Sequence, residues 1–244
     1  MAIDEKIIMT PFFSFITDIL FPRYCFGCGY WGTYVCGSCK KQLQTMRFDI
    51  CPYCRKKSYF GLTHPVCKKE YGIDGLKSIY RYNDVVKKII MQIKYRLITD
   101  ALSEFFLTIP RNKMEELLFY RELSLDFLIV PVPLHTVRMK HRGFNQANEM
   151  ARFFAQVLRF SLDNNSVIRK KNTKPQVAFK KPIDRYRNIV GAFDLADQVK
   201  RVDIHNKQFI IFDDVWTTGW TMKEVAKVLK KNGAEKVFAL TLAR

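Results

Sequence analysis

Apolar residues in this chain fall into short continuous runs that alternate with stretches of helical period. Phe209-Ile210-Ile211-Phe212 is β-branched and aromatic throughout, as in a strand buried on both faces. From Met222 the period changes. Met222, Val225, Ala226 and Leu229 share one helical face, with Lys223, Glu224, Lys227 and Lys230 opposite. Lys236–Ala243 (KVFALTLA) supplies a last strand, and Phe127–Pro131 (FLIVP) an earlier one. Upstream, Leu76–Tyr82 alternates like a strand. Val85–Tyr95 reads as a basic helix with Val85, Ile89, Ile90 and Ile93 apolar, and a further helix spans roughly Ile98–Leu107. After FLIVP, PVPLHTVRMKHRGFNQAN reads as a loop dense in Arg, Lys and His. It turns through Arg142-Gly143-Phe144-Asn145-Gln146 into a helix over Gln146–Leu158. The joint between Phe209 and Leu229 is a strand–loop–helix unit, the kind of place where open α/β sheets hold their ligands.

The N-terminal run Ile7–Phe21 is apolar but too short to span a bilayer, and Pro11 and Asp18 break it. Phe12, Phe13, Ile16, Ile19 and Leu20 recur at helical spacing there. That suits packing onto a core or lying in a membrane interface, and the pattern leaves both open. No transmembrane segment, cleavable signal, solenoid repeat or low-complexity tract is expected, and the chain reads as cytoplasmic and globular.

Composition adds charge to this picture. The 244 residues carry 41 Lys and Arg against 23 Asp and Glu, a formal charge of +18 that exceeds any correction for bound metal. Such a chain attracts polyanions: nucleic acid first, then anionic lipid, then phosphorylated small molecules. The excess peaks between Arg169 and Arg187, where eight cations accompany the single acid Asp184. Aromatics and cations also alternate at Tyr80-Arg81-Tyr82, Lys94-Tyr95-Arg96 and Arg185-Tyr186-Arg187, where bases could stack; for any one trio an ordinary amphipathic surface is the better explanation.

All seven cysteines lie between positions 25 and 67: three Cys-x2-Cys pairs, and Cys67 at the same spacing after His64. Neighbouring knuckles give Cys25, Cys28, Cys36 and Cys39 as one tetrahedral zinc site, and Cys51, Cys54, His64 and Cys67 as a second. Both would be structural zincs, with no open position for water or substrate. A disulfide framework is disfavoured because nothing marks the chain as secreted. The second site depends on His64, and the alternative for Cys51–Cys67 is a loose loop. Gly29 and Gly37 follow cysteines where knuckle turns need positive φ.

At the joint itself, Thr217, Thr218, Gly219 and Thr221 stand at the helix start, where unpaired N–H groups and the helix dipole favour a phosphate. Asp213 and Asp214 come just before and can accept from hydroxyls. Phosphate donors and hydroxyl acceptors one loop apart fit a ribose 5-phosphate. Four apolar residues, Asp-Asp and Thr-Thr-Gly-x-Thr resemble the phosphoribosyl-pyrophosphate (PRPP) motif of type I phosphoribosyltransferases. In that family the acidic pair holds the ribose 2′- and 3′-hydroxyls and the Thr/Gly loop the 5′-phosphate. Trp216 and Trp220 stand where the family has smaller residues, either pointing outward or crowding the pocket.

Further motifs sharpen the likeness. Leu20-Phe21-Pro22-Arg23-x-Cys25, the cysteine knuckles, Arg142-Gly143-Phe144-Asn145-Gln146, Gln176, Arg185-x2-Asn188-x2-Gly191-Ala192-Phe193 and the PRPP motif follow one another in this order. Together they resemble the ComF (ComFC) late-competence family over almost the whole chain. The resemblance implies an α/β fold: a phosphoribosyltransferase-like doubly wound parallel sheet over 76–244, behind an N-terminal helix and double zinc-knuckle module over 1–75. It also implies a bacterial DNA-uptake protein that binds single-stranded DNA, next to membrane-associated uptake machinery such as a competence helicase at the inner face of the membrane.

Two functions compete on these residues. One is DNA handling on a PRPP-binding fold; the other is a phosphoribosyltransferase acting on PRPP–Mg²⁺ with a base or amine acceptor. A regulator that senses PRPP without turnover is compatible with either. Arg138, Lys140 and Arg142 would face the pyrophosphate, though a basic solvated turn explains them equally well. Lys170, Lys171, Lys180, Lys181, Arg185 and Arg187 would shield pyrophosphate or grip a DNA backbone, and the sequence leaves both readings open. No residue identifies a catalytic nucleophile.

Overall fold

The computed structural model describes residues 22–95, 99–123, 126–173 and 181–244. The apolar run at 7–21, Arg96, Gln176 and Lys180 lie outside the described residues. Strands β1 (Gly75–Tyr80), β2 (Phe127–Pro131), β3 (Ser161–Leu162), β6 (Gln208–Val215) and β7 (Lys236–Ala243) form a parallel sheet in the order β1-β7-β6-β2-β3. Strands β4 (Val167–Arg169) and β5 (Phe193–Leu195) pair antiparallel in a separate ribbon. The helices are α1 (Gly37–Lys40), α2 (Asp84–Tyr95), α3 (Thr99–Phe106), α4 (Arg111–Leu117), α5 (Phe119–Leu123), α6 (Thr136–Arg142), α7 (Gln146–Leu158), α8 (Pro182–Ile189), α9 (Arg201–Ile204) and α10 (Trp220–Lys231).

The sheet is buried on both faces, and its period of two sorts side chains between two cores. Ile210, Phe212, Phe238, Leu240 and Leu242 meet Ile89 and Ile93 of α2, Phe105 of α3 and Phe154 of α7. Phe209, Ile211, Val237 and Ala239 point the other way, onto Met222, Val225, Ala226 and Leu229 of α10. Helices on both faces of a parallel sheet make the fold doubly wound. After β2 the chain steps outward to β3, and after β6 it steps the other way to β7. The direction therefore reverses between β2 and β6, and the crevice outside their carboxyl ends is the natural ligand position.

The first cysteine group belongs to this architecture. Cys25, Val35, Cys36 and Cys39 are buried in the same core as α2, α3 and α7. Glu104 of α3 clasps the knuckle, accepting from the Tyr34 and Val35 amides at 3.1 and 3.0 Å and from the Thr33 hydroxyl. Burial pushes the Glu104 carboxyl up, but these hydrogen bonds outweigh it and hold the group below its ordinary range.

Several elements differ from the sequence pattern, each for a physical reason. β1 ends at Tyr80 rather than Tyr82, and its six residues are all buried instead of alternating. Its polar members stay inside because they are paired: Lys77 Nζ lies 2.6 Å from Asp49 and Ser78 Oγ 2.8 Å from Thr241 Oγ1. In α2 it is Val86, capped by Asn83 at 2.9 Å, that is fully buried rather than Val85. The segment Thr136–Arg142 is a helix, not a loop, started by the His135 side chain and closed by Gly143 at φ 78°. Glu224 is buried instead of facing solvent, because its carboxylate accepts from the Gly191 amide at 3.0 Å. Gly29 has the expected positive φ (81°), whereas Gly37 is absent from the positive-φ glycines and simply opens α1.

Candidate functional site

The apolar run of β6 stops at Phe212 but the strand continues to Val215, so Asp213 and Asp214 are strand residues, with Asp213 beside Thr241 of β7. The chain then crosses to α10 through Trp216–Gly219. Gly219 sits at φ 72°, and a Cβ there would lie 2.2 Å from the Trp216 ring. Both conformation and space demand glycine. Trp216 is buried beneath the loop, and Trp220 leans on Tyr186 of α8 at 4.7 Å. The tryptophans are thus accommodated by the core and by α8. Thr217 is exposed, Thr221 is half-buried, and the Thr218 hydroxyl is buried without a protein partner. A buried hydroxyl at a helix start, left unpaired by the protein, suits an anionic ligand.

Cations gather around the acidic pair. Lys94, from the last turn of α2, places Nζ 2.6 Å from Asp214. Burial alone would lower the Lys94 pKa, but the Asp214 charge and hydrogen bond raise it. Asp213 is half-buried, and desolvation followed by the Asp214 charge holds its carboxyl above the ordinary range. Arg169 of β4 is pushed down to about 10 by burial and then by Arg138, while Asp213 pulls the other way. Arg138 donates to the Thr173 carbonyl, and Arg169 to the Thr173 hydroxyl. Arg142 donates to Gln146 at 3.0 Å and lies over the Tyr95 ring. The acidic pair is thus met by Lys94 and Arg169, with Arg142 beside Lys94 and Arg138 beside Arg169; the sequence pattern does not single out Lys94 and Arg169 as ligands. In sequence, Lys94 is only one member of a surface trio, and Arg169 only the first of a basic run.

The remaining predicted cations lie elsewhere. Lys140 is exposed on α6. Lys170 pairs with Asp194 at 2.9 Å, and Lys171 donates to the Val190 carbonyl. Lys181 is the exposed residue before α8, and Arg187 is exposed on it, with Arg185 half-buried. The Tyr186–Trp220 contact sets α8 beside the start of α10, so this basic helix borders the loop.

The knuckles meet as neighbouring pairs. The ligand atoms of Cys25, Cys28, Cys36 and Cys39 lie within 4.8 Å of one another, and so do those of Cys51, Cys54, His64 and Cys67. Both groups can hold a metal ion, and their soft donor sets suit zinc. His64 turns Nδ1 to Cys54 Sγ at 3.3 Å and Nε2 to the Lys57 carbonyl at 3.2 Å. A ring nitrogen held by a carbonyl leaves the other free for a metal. In the first group, burial and the adjacent thiols raise the Cys39 pKa well above its ordinary value, a cost that a divalent cation would remove. The second group borders the loop between β6 and α10. Arg55 donates to the Thr217 carbonyl at 3.4 Å, and Lys223 lies over the Tyr53 ring with Nζ 3.4 Å from the Thr218 carbonyl.

No family model matches this chain. It is 29% identical to "Competence protein F" of Haemophilus influenzae over 215 residues, 86% of this chain and 90% of that protein. "DNA utilization protein YhgH" of Escherichia coli is 29% identical over 236 residues, covering 91% and 97%. "Competence protein ComFC" of Bacillus subtilis is 28% identical over 225 residues, covering 86% and 84%. Among solved structures, the allosteric regulatory enzyme of purine biosynthesis aligns with a TM-score of 0.32 at 13% identity, over 52% of this chain and 24% of that one. That likeness is too slight to argue from.

Proposed function

We propose that this chain, a member of the ComF (ComFC) late-competence family by the relatives above, is a DNA-uptake protein that binds single-stranded DNA through a basic surface on a PRPP-binding sheet. The observation that carries the reading is a connected cluster of cations at one acidic pair: Lys94 on Asp214, Arg169 acting on Asp213, with Arg142 beside Lys94 and Arg138 beside Arg169. Two carboxylates do not balance four cations, and the chain as a whole is at +18. The surplus field favours a polyanion. Two of the relatives are named for competence and one for DNA utilization, which supports the same reading. The proposal includes a cytoplasmic position near membrane-bound uptake machinery. Among the described residues, no helix is long and apolar enough to cross a membrane.

In this reading Thr217, Thr218, Gly219 and Thr221 take the 5′-phosphate of PRPP or ribose 5-phosphate, and Asp213 and Asp214 take its hydroxyls. Arg138, Arg142 and Arg169 face the pyrophosphate, whose charge the Mg²⁺ bound with it reduces. Lys170, Lys171, Lys181, Arg185 and Arg187 extend the positive surface along the β4–β5 ribbon and α8, where a DNA backbone would run. The unpaired Thr218 hydroxyl favours a second reading, transfer of phosphoribose from PRPP to a base or amine. The two are compatible if bound PRPP controls DNA binding.

One preparation tests both. We expect oligonucleotides of unrelated sequence to bind without any turnover of PRPP. PRPP should bind as a ligand, weakened at least roughly tenfold in the Asp213→Ala, Asp214→Ala double variant, since hydrogen bonds to charged acceptors contribute about 1.5–3 kcal/mol each. PRPP turnover with no DNA binding at physiological salt would replace the first reading with the second.

A further inference from the structure

The outer edge of β1 is bridged at its two ends, by Leu62 to Gly75 and by Thr45 to Tyr80. Beside Lys77, between these ends in sequence, lies a cavity of about 290 Å³ that the acidic pair and its cations do not line. That is the small end of the roughly 300–1,000 Å³ of small-molecule sites, room for one planar group. Its polar floor is fixed. The Lys77 side chain, 4% exposed, places Nζ 2.6 Å from Asp49 and 3.5 Å from Glu116, and Lys113 holds Glu116 at 2.6 Å.

The walls are aromatic, and one of them is strained. Phe60 sits at φ 48°, a left-handed conformation uncommon for a bulky residue. It is held there by stacking on Phe119 at 4.1 Å and by an edge contact with Tyr59 at 4.4 Å. Gly61 follows at φ 71°, where a Cβ would come 2.0 Å from the Leu76 carbonyl. This tight turn leaves Tyr59 80% exposed at the mouth, which Phe48, 50% exposed, also lines. Backbone strain of this kind clusters at functional sites, ligand clamps among them.

We infer that this cavity binds a nucleobase of the single strand, with the base stacked on Tyr59 and Phe48 and its edge directed to the Lys77–Asp49–Glu116 floor. A simple anion would meet two carboxylates there, and a simple cation two ammonium groups. The edge of a base carries donors and acceptors side by side and can pair with both. The flat rings accept any base face, and Arg47 at the rim adds a cation for the adjoining phosphate. The inference rests on the single-strand reading above and deepens it: the positive surface would hold the backbone while this pocket holds a base.

The test uses the full-length protein with Tyr59→Ala and Phe48→Ala, both at exposed positions, and Tyr59→Phe as the conservative control. The probes are a fluorescent oligodeoxycytidylate, an abasic strand of equal length and free deoxycytidine monophosphate. Each alanine variant should bind the oligodeoxycytidylate about five- to 150-fold more weakly, the equivalent of about 1–3 kcal/mol for one stacked base. Tyr59→Phe should bind like the wild type, and all four proteins should bind the abasic strand alike. Equal weakening on both strands, or none on either, would overturn the pocket while leaving the single-strand reading intact. A wild type that binds neither strand would sink that reading and the pocket together. Free mononucleotide binding as tight as the oligomer would assign the cavity to a nucleotide ligand and overturn its role in holding a strand.

Discussion

The two cysteine groups share a sequence pattern, yet they occupy different surroundings. Cys25, Cys36 and Cys39 are buried among the helices that cover one face of the sheet, and Glu104 of α3 ties their knuckle down. In the second group only Cys51 is fully buried, and Cys54 is exposed. Its surroundings reach instead to the loop after β6, through Arg55 to Thr217 and through Tyr53 to Lys223. Ligand spacing reports coordination and is silent on what the coordinated group supports. One group is part of the core, and the other braces a candidate phosphate loop.

The largest expected effect follows from the first group. Cys25→Ser with Cys39→Ser should yield no folded protein, because three of this group's four thiols lie in the main core and losing their metal would leave polar groups buried there without partners. Circular dichroism and solubility report this directly. The same pair of changes in the second group, Cys54→Ser with Cys67→Ser, should remove one zinc per chain by elemental analysis and lower the melting temperature by only a few degrees. It should also weaken PRPP binding several-fold, since Arg55 and Tyr53 lose their anchor. Identical unfolding of both double variants would erase the distinction between the groups.

A smaller effect comes from Asp213. Its pKa rises from 3.8 to about 7 in the folded protein, through desolvation and then the Asp214 charge. The folded state therefore holds this proton more tightly than the unfolded chain. The stability it contributes is complete below about pH 4 and is lost as pH rises through about 7. Asp213→Asn should gain melting temperature relative to wild type across that window and hold the gain above it. A difference that stays flat with pH would show that Asp213 ionises normally.

How much of this is legible in the sequence depends on which interactions set each feature. β2, β7 and α7 have the boundaries their apolar patterns indicate, because burial alone defines them. The cysteine groups also pair as spacing suggests, since two-residue knuckles leave little choice. Features set by distant partners stay hidden. Lys77 looks like a solvent-facing strand residue until Asp49 and Glu116 supply its counter-charges. Thr136–Arg142 lacks an apolar face to mark it as a helix, and none of its residues is buried. Lys94 pairs with Asp214 and Arg169 acts on Asp213 only through the fold; their local sequence shows two more cations in a basic chain. The loop glycine is visible as a motif, whereas its second reason, the Trp216 ring beneath it, needs the fold.

The central claim is that the cations along the β4–β5 ribbon and α8 touch a DNA backbone. The most direct measurement is the salt dependence of single-strand binding, comparing wild type with charge reversal at Lys170, Lys171, Lys180 and Lys181. Each neutralised phosphate releases counterions and adds a slope of about −0.7 to log K against log salt. Wild type should show a steep slope. The variant should show one flatter by about 0.7 for every phosphate it no longer neutralises, with zinc content unchanged. A wild-type slope near zero, or identical slopes for the two proteins, would contradict the account.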